Sequence, residues 1–88
     1  MVSKRVVVSG RVQGVFFRDS CRTEAERHGV AGWVRNRGDG SVEAHFEGEP
    51  GAVQAMLDWV RQGPRHARVD RVDAYEASPE GASGFVVR

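Results

Sequence analysis

The sequence predicts one α+β domain, a sandwich of order β-α-β-β-α-β with a short extra strand at its C-terminal end. Three observations predict it. Two stretches, 17–28 and the one between Pro50 and Gly63, carry apolar residues at helical spacing. Short runs of β-branched and alternating residues flank them. Glycine- and proline-bearing breaks separate nearly every element from the next. With 88 residues, the chain can build one compact core, so residues 1–88 read as a single domain.

Lys4 to Val12 reads as the first strand: Val6 and Val8 alternate with Val7 and Ser9. Gly10, Gln13 and Gly14 mark a loop. A helix from about Phe17 to His28 follows, with Phe17, Cys21, Ala25 and His28 on one stripe and Gly29 at its C-terminal stop. The second strand covers about Val30 to Arg37, and Gly38-Asp39-Gly40 signals a hairpin. In the third strand, Ser41 to Glu47, Val42, Ala44 and Phe46 alternate with Glu43, His45 and Glu47, which predicts one buried face and one wet face.

Pro50 suits the first turn of a second helix, whose apolar face is Val53, Met56, Leu57 and Val60 and which Gly63-Pro64 ends. A fourth strand, about Arg68 to Glu76, and a turn-rich stretch lead to a terminal strand, Phe85 to Val87. The order is that of the ferredoxin-like, split β-α-β arrangement, a mixed and largely antiparallel sheet. Right-handed crossovers place both helices on one face. A helix joins strands one and two, which makes them parallel. The loop at Gln13–Arg18 and Asn36, on the neighbouring parallel strand, therefore lie at the same sheet end.

Composition narrows the function. Net charge is +1, which lacks the extended basic face of a nonspecific nucleic-acid binder. Residues 1–40 hold eight basic side chains against four acidic, a balance compatible with a local anion site. No apolar run approaches the roughly 18 residues needed to span a bilayer, and the three valines after Lys4-Arg5 are too few for a signal-peptide core. The expectation is a cytoplasmic monomer with no membrane or nucleic-acid partner. The single Cys21 reads as core and excludes a Cys-rich metal site; His28, His45 and His66, without ligand spacing, read as surface or half-buried.

The loop Gly10-Arg11-Val12-Gln13-Gly14-Val15-Phe16-Phe17-Arg18 joins a strand to a helix start. Glycines let its N–H groups converge, and the helix N-terminus adds partial positive charge, a combination that binds phosphate or carboxylate. No Gly-Lys-Ser/Thr ending or dinucleotide fingerprint is present. Arg18 stands where the helix dipole disfavours a cation, and an anion taken in its guanidinium fork would offset that; the plain alternative is an arginine swung into water. Phe17 reads as core, and Phe16 as core or as a pocket wall that excludes water. Asn36 offers a donor and an acceptor, which suits placing a water; the plain alternative is an asparagine that caps the Gly-Asp-Gly hairpin.

Taken together, the loop 10–18 resembles the first signature of the acylphosphatase family. Gly32-Trp33-Val34-Arg35-Asn36, with Gly40, Val42 and Gly48 at their spacings, resembles the second. Gly63-Pro64 and Phe85-Val86-Val87 add to a likeness that covers nearly the whole chain, at the length of a free-standing member. The resemblance implies a ferredoxin-like fold and hydrolysis of acyl phosphates to carboxylate and inorganic phosphate, with no metal, no cofactor and no phosphoenzyme. It implies a phosphate cradle from the main chain of Gln13, Gly14, Val15, Phe16, Phe17 and Arg18, closed by the Arg18 guanidinium, with Asn36 orienting the water.

Three other functions share this topology or this loop. A single-stranded RNA binder of this topology needs exposed aromatics on strands one and three, where this chain has valines, Glu43, His45 and Glu47. A copper carrier needs a Cys-x-x-Cys loop, absent here. A noncatalytic module that senses phosphate-like anions is the alternative function, and the presence of both Arg18 and Asn36 favours the enzyme.

Overall fold

The order of elements in the computed structural model, which describes all 88 residues, is the predicted one. β1 (Val2–Arg11) leads into α1 (Phe17–His28), and β2 (Ala31–Asn36) and β3 (Val42–Gly48) form a hairpin. α2 (Pro50–Gln62), β4 (Arg68–Glu76) and β5 (Phe85–Val87) follow. Both helix starts fall where the sequence places them. β1 begins two residues earlier than expected, at Val2, because Val2 pairs with Gly48 across the sheet.

α1 ends as its glycine requires. Gly29 takes φ 69°, its N–H donates to the Glu26 carbonyl, and the Val30 N–H reaches back to Ala25 at 2.8 Å. That pairing satisfies the last carbonyls and turns the chain directly into β2.

The five strands lie in the order β4-β1-β3-β2-β5. β1 pairs antiparallel with both β3 and β4, β2 antiparallel with β3, and β5 parallel with β2. β1 and β2 are therefore parallel, but they are not neighbours: β3 lies between them. Their C-terminal ends still share one end of the sheet. The core forms between the sheet and both helices: Val6, Val8, Val34, Ala44 and Phe46 meet Phe17, Cys21 and Ala25 of α1 and Val53, Met56 and Val60 of α2. Cys21 is fully buried, and burial pushes its thiol well above the ordinary value. His28, at the end of the same stripe, is half-buried beside Glu24, as expected.

The outer face of β3 departs from the expectation. Glu43, His45 and Glu47 are buried instead of wet, and His45 is only 1% exposed. Arg5 of β1 and Arg35 of β2 clamp the Glu43 carboxylate from both flanks. Trp33 stacks on His45, with ring centroids 6.1 Å apart. The stretch between β4 and β5 folds over this face, where the Glu80 main-chain N–H donates to Glu47 and the Glu80 carboxylate accepts from the Trp33 indole at 2.9 Å. Burial pushes the Glu43 and Glu47 carboxyls up, but hydrogen bonds outweigh it and hold both below the ordinary value. Polar alternation along β3 is a local signal. It carries no information about a segment more than thirty residues on that covers it.

Candidate active site

The loop between β1 and α1 is pinned by its apolar residues. Val12 is 1% exposed and Val15 7%, so both side chains anchor in the core while the polar chain between them stays at the surface. Gly14 takes φ 73° and Phe16 φ 62°, two left-handed residues that curl the main chain. Alternation of right- and left-handed residues turns successive N–H groups toward one point. The amides of Gln13, Gly14, Val15 and Phe16 donate to no main-chain acceptor, and the first bond of α1 runs from the Ser20 N–H to Phe16. The N–H groups of Phe17, Arg18 and Asp19 precede that bond, as in every helix start. Phe16 occupies the N-cap without any side-chain capping bond, so nothing in the protein substitutes for an anion there.

Arg18 extends from the first turn of α1, half-buried, and its Nη1 donates to the main-chain oxygen of Arg88 at 2.9 Å. One bond leaves further N–H donors of the guanidinium fork unused. The Arg88 guanidinium itself lies 4.6 Å over the Trp33 ring, and the Arg88 N–H donates to Val34. The C-terminal segment thus runs beside β2 and holds the Arg18 side chain from behind.

Asn36 is the last residue of β2, half-buried, and its carboxamide takes part in no side-chain hydrogen bond of the protein. The turn-capping role falls to Asp39 instead, whose carboxylate accepts from the Ser41 amide at 3.0 Å and from the Ser41 hydroxyl. The Ser41 hydroxyl and amide hold the Asp39 carboxyl below its ordinary value. The Gly40 N–H donates to Arg37 and Gly40 takes φ 93°, the three-residue hairpin loop that the Gly-Asp-Gly run predicts. Asn36 is left free.

Arg18 and Asn36 line one cleft of about 330 Å³, together with Val12, Gly14, Phe16, Phe17, Asp19 and Val87. Of the residues singled out from the sequence, Gly14, Phe16, Phe17, Arg18 and Asn36 meet there. Gln13 and Val15 do not present their side chains to it. Val15 is core, and the Gln13 carboxamide reaches the hairpin, donating to the carbonyls of Arg37 at 2.8 Å and Ser41 at 2.9 Å. Phe17 is core, as expected; Phe16 walls the cleft but is 75% exposed, so it does not seal it. Three features have no counterpart in the sequence expectations: the Gln13 side chain, the Arg88 main-chain oxygen and Asp19 in the lining. Only Asp19 had a local signal, as the acidic residue expected in a first turn. No three His, Cys, Asp or Glu side chains gather as a metal site, and no helix is long and apolar enough to cross a membrane.

Comparisons with known proteins give the family and the fold. The Acylphosphatase family model matches residues 4–87. The chain is 62% identical over 85 residues to an acylphosphatase of Rubrobacter xylanophilus, covering 96% of this chain and 77% of that one. It is 53% identical over its full length to an acylphosphatase of Thiobacillus denitrificans, covering 98% of that protein. Among solved structures, an acylphosphatase from Bacillus subtilis superposes with a TM-score of 0.96 at 39% identity, covering 100% of this chain and 99% of that one. One from Coxiella burnetii gives 0.95 at 41%, covering 99% and 92%.

Proposed function

We propose that this chain, which belongs to the acylphosphatase family and is an enzyme that hydrolyses acyl phosphates, grips the phosphoryl group with Arg18 and the main-chain amides of residues 13–18 and places the attacking water with Asn36. The observation that carries this reading is one cleft lined by a guanidinium with spare donors and a carboxamide with no protein partner, beside a run of unpaired amides.

The chemistry suits so few parts. An acyl phosphate is an activated anhydride whose carboxylate leaves readily, so positioning and charge stabilisation do most of the work. In the transition state charge spreads over three equatorial phosphoryl oxygens, which the amides and the guanidinium fork receive. The water oxygen bonds to phosphorus, the anhydride oxygen departs with its electron pair as carboxylate, and the water's proton passes to a phosphoryl oxygen. Asn36 accepts one hydrogen bond from the water and donates another to it. No side chain in this scheme serves as general base, and none needs a metal.

Family membership sets the anion-sensing alternative aside. The enzyme is further proposed to act as a monomer in the cytoplasm without a nucleic-acid partner. Its large exposed apolar residues are scattered at Met1, Phe16, Tyr75 and Val86, and its one cysteine is an unpaired thiol, as a reducing compartment favours.

The test is Asn36→Ala assayed with benzoyl phosphate, with inorganic phosphate as inhibitor. The expected result is a loss of about 10²-fold in kcat, with phosphate still inhibiting at similar concentration. An unfolded variant, or loss of phosphate affinity in step with kcat, would sink the water assignment.

A further inference from the structure

We propose that the ring of Phe16 is the platform for the acyl group, so that the cleft favours acyl phosphates with a broad apolar acyl body over those with a very short one. This rests on the reading of Arg18 and the residue 13–18 amides as the phosphate end of the cleft.

Two costs coincide at Phe16, and neither serves the fold. It is the one non-glycine residue of the chain with positive φ, at 62°. A bulky side chain is a poor occupant of that region, where glycine or asparagine sits without penalty. Its ring is also 75% exposed, while that of Phe17, the next residue, is 2% exposed and fills the core. An aromatic ring left in water forgoes the burial that makes aromatics valuable. A strained backbone at a residue whose ring borders a cleft is the mark of a functional position.

Val12, Phe17 and Val87 add apolar side chains to the same wall. A phosphate group, counting its bridging oxygen, has five heavy atoms and displaces roughly three waters, on the order of 90 Å³. The cleft is about 330 Å³. The apolar half of the lining is Phe16 with Val12, Phe17 and Val87, whose side chains cannot hydrogen-bond an acyl tail; Gly14, Arg18, Asp19 and Asn36 make up the other half. With the phosphate held on the amides, the acyl carbon projects away from them, toward solvent, where the open ring stands. A flat or branched apolar acyl group covers that ring, and a single methyl covers little of it.

The experiment compares kcat/KM for benzoyl phosphate with that for acetyl phosphate in the unaltered protein, Phe16→Ala, Phe16→Asn and Phe16→Tyr. Comparing that ratio between variants cancels the different intrinsic reactivities of the two anhydrides. Alanine has no side chain to support a left-handed backbone; asparagine, whose short amide hydrogen-bonds locally and tolerates that region, removes the ring at less strain, so the pair does not depend on one variant folding. The expected result is a fall in the benzoyl-to-acetyl ratio of roughly five- to tenfold in both ring-less variants, mainly through KM for benzoyl phosphate, and recovery of the ratio in Phe16→Tyr. A ratio unchanged by loss of the ring, with both substrates slowed alike, would overturn the proposal while leaving the phosphate end intact. Inorganic phosphate is tested beside them as a competitive inhibitor of the unaltered protein. Its failure to compete would overturn the phosphate reading instead, and the platform with it.

Discussion

The Gln13 side-chain nitrogen donates to the main-chain carbonyl of Arg37 at 2.8 Å, one residue beyond the end of the strand that carries Asn36. Its second bond, to Ser41 at 2.9 Å, closes on the other side of the same turn. Ser41 and Arg37 are themselves paired, since the Arg37 N–H donates to the Ser41 carbonyl at 2.8 Å. One carboxamide thus ties the loop that bears the unpaired amides to the hairpin that bears Asn36. β1 and β2 are not neighbours in the sheet, so this clip supplies a direct link that strand pairing between them does not.

Gln13→Ala is therefore expected to act on turnover more than on phosphate affinity. The main-chain amide of residue 13 survives the change, but the spacing between loop and hairpin loosens. A loss of about 10-fold or more in kcat is expected, with the inhibition constant for inorganic phosphate nearly unchanged. The lost bonds should cost about 1–3 kcal/mol of stability, read by urea unfolding. Equal losses in kcat and phosphate affinity would show that the clip shapes the cradle itself.

Arg18→Lys tests the fork. A lysine keeps the charge but cannot take two phosphoryl oxygens in one plane while also bonding the Arg88 main-chain oxygen. The expected loss is roughly 10²-fold in kcat/KM for benzoyl phosphate, approaching that of Arg18→Ala. Near-complete rescue by lysine would mean that a point charge suffices.

Asp19→Asn tests the proton's route. Asp19 is the one carboxylate on the cleft wall, so it is the side chain to suspect as a base. If the proton passes to the phosphoryl group, kcat stays within about threefold and the pH–rate profile keeps its shape. Disappearance of an acidic limb in the variant would identify Asp19 as the acceptor and remove the substrate-assisted step.

Acid should weaken the protein through Glu43. Its folded-state pKa is lowered, because hydrogen bonds from Arg5 and Arg35 outweigh the burial that raises it. A lowered value stabilises the fold above the unfolded pKa, near pH 4 for a glutamate, and that contribution is lost as pH falls through the folded value. Glu43→Gln should be less stable at pH 7 by about 1–3 kcal/mol and should show a flatter fall of stability below pH 4. Urea midpoints between pH 7 and pH 2 measure both. Parallel curves for the two proteins would mean the clamp does not govern the acid limb.

The order of elements, the bounds of α1 and the loop 10–18 were legible because each depends on near neighbours. Phe17, Cys21 and Ala25 recur at helical spacing, Gly29 stops the helix, and Gly38-Asp39-Gly40 turns the hairpin, all within a few residues. The placement of Arg18 and Asn36 at one end of the sheet follows from the direction of two strands joined by a helix. The tertiary structure alone decided what lies across the sheet. Gln13 reaches a turn 24 and 28 residues away, Arg18 meets a main-chain oxygen 70 residues away, and Glu47 is covered by a loop 33 residues on. Such contacts depend on strand register and on where a late segment lies down. Periodicity, propensity and turn chemistry are blind to both, because they register only forces acting within a few residues along the chain.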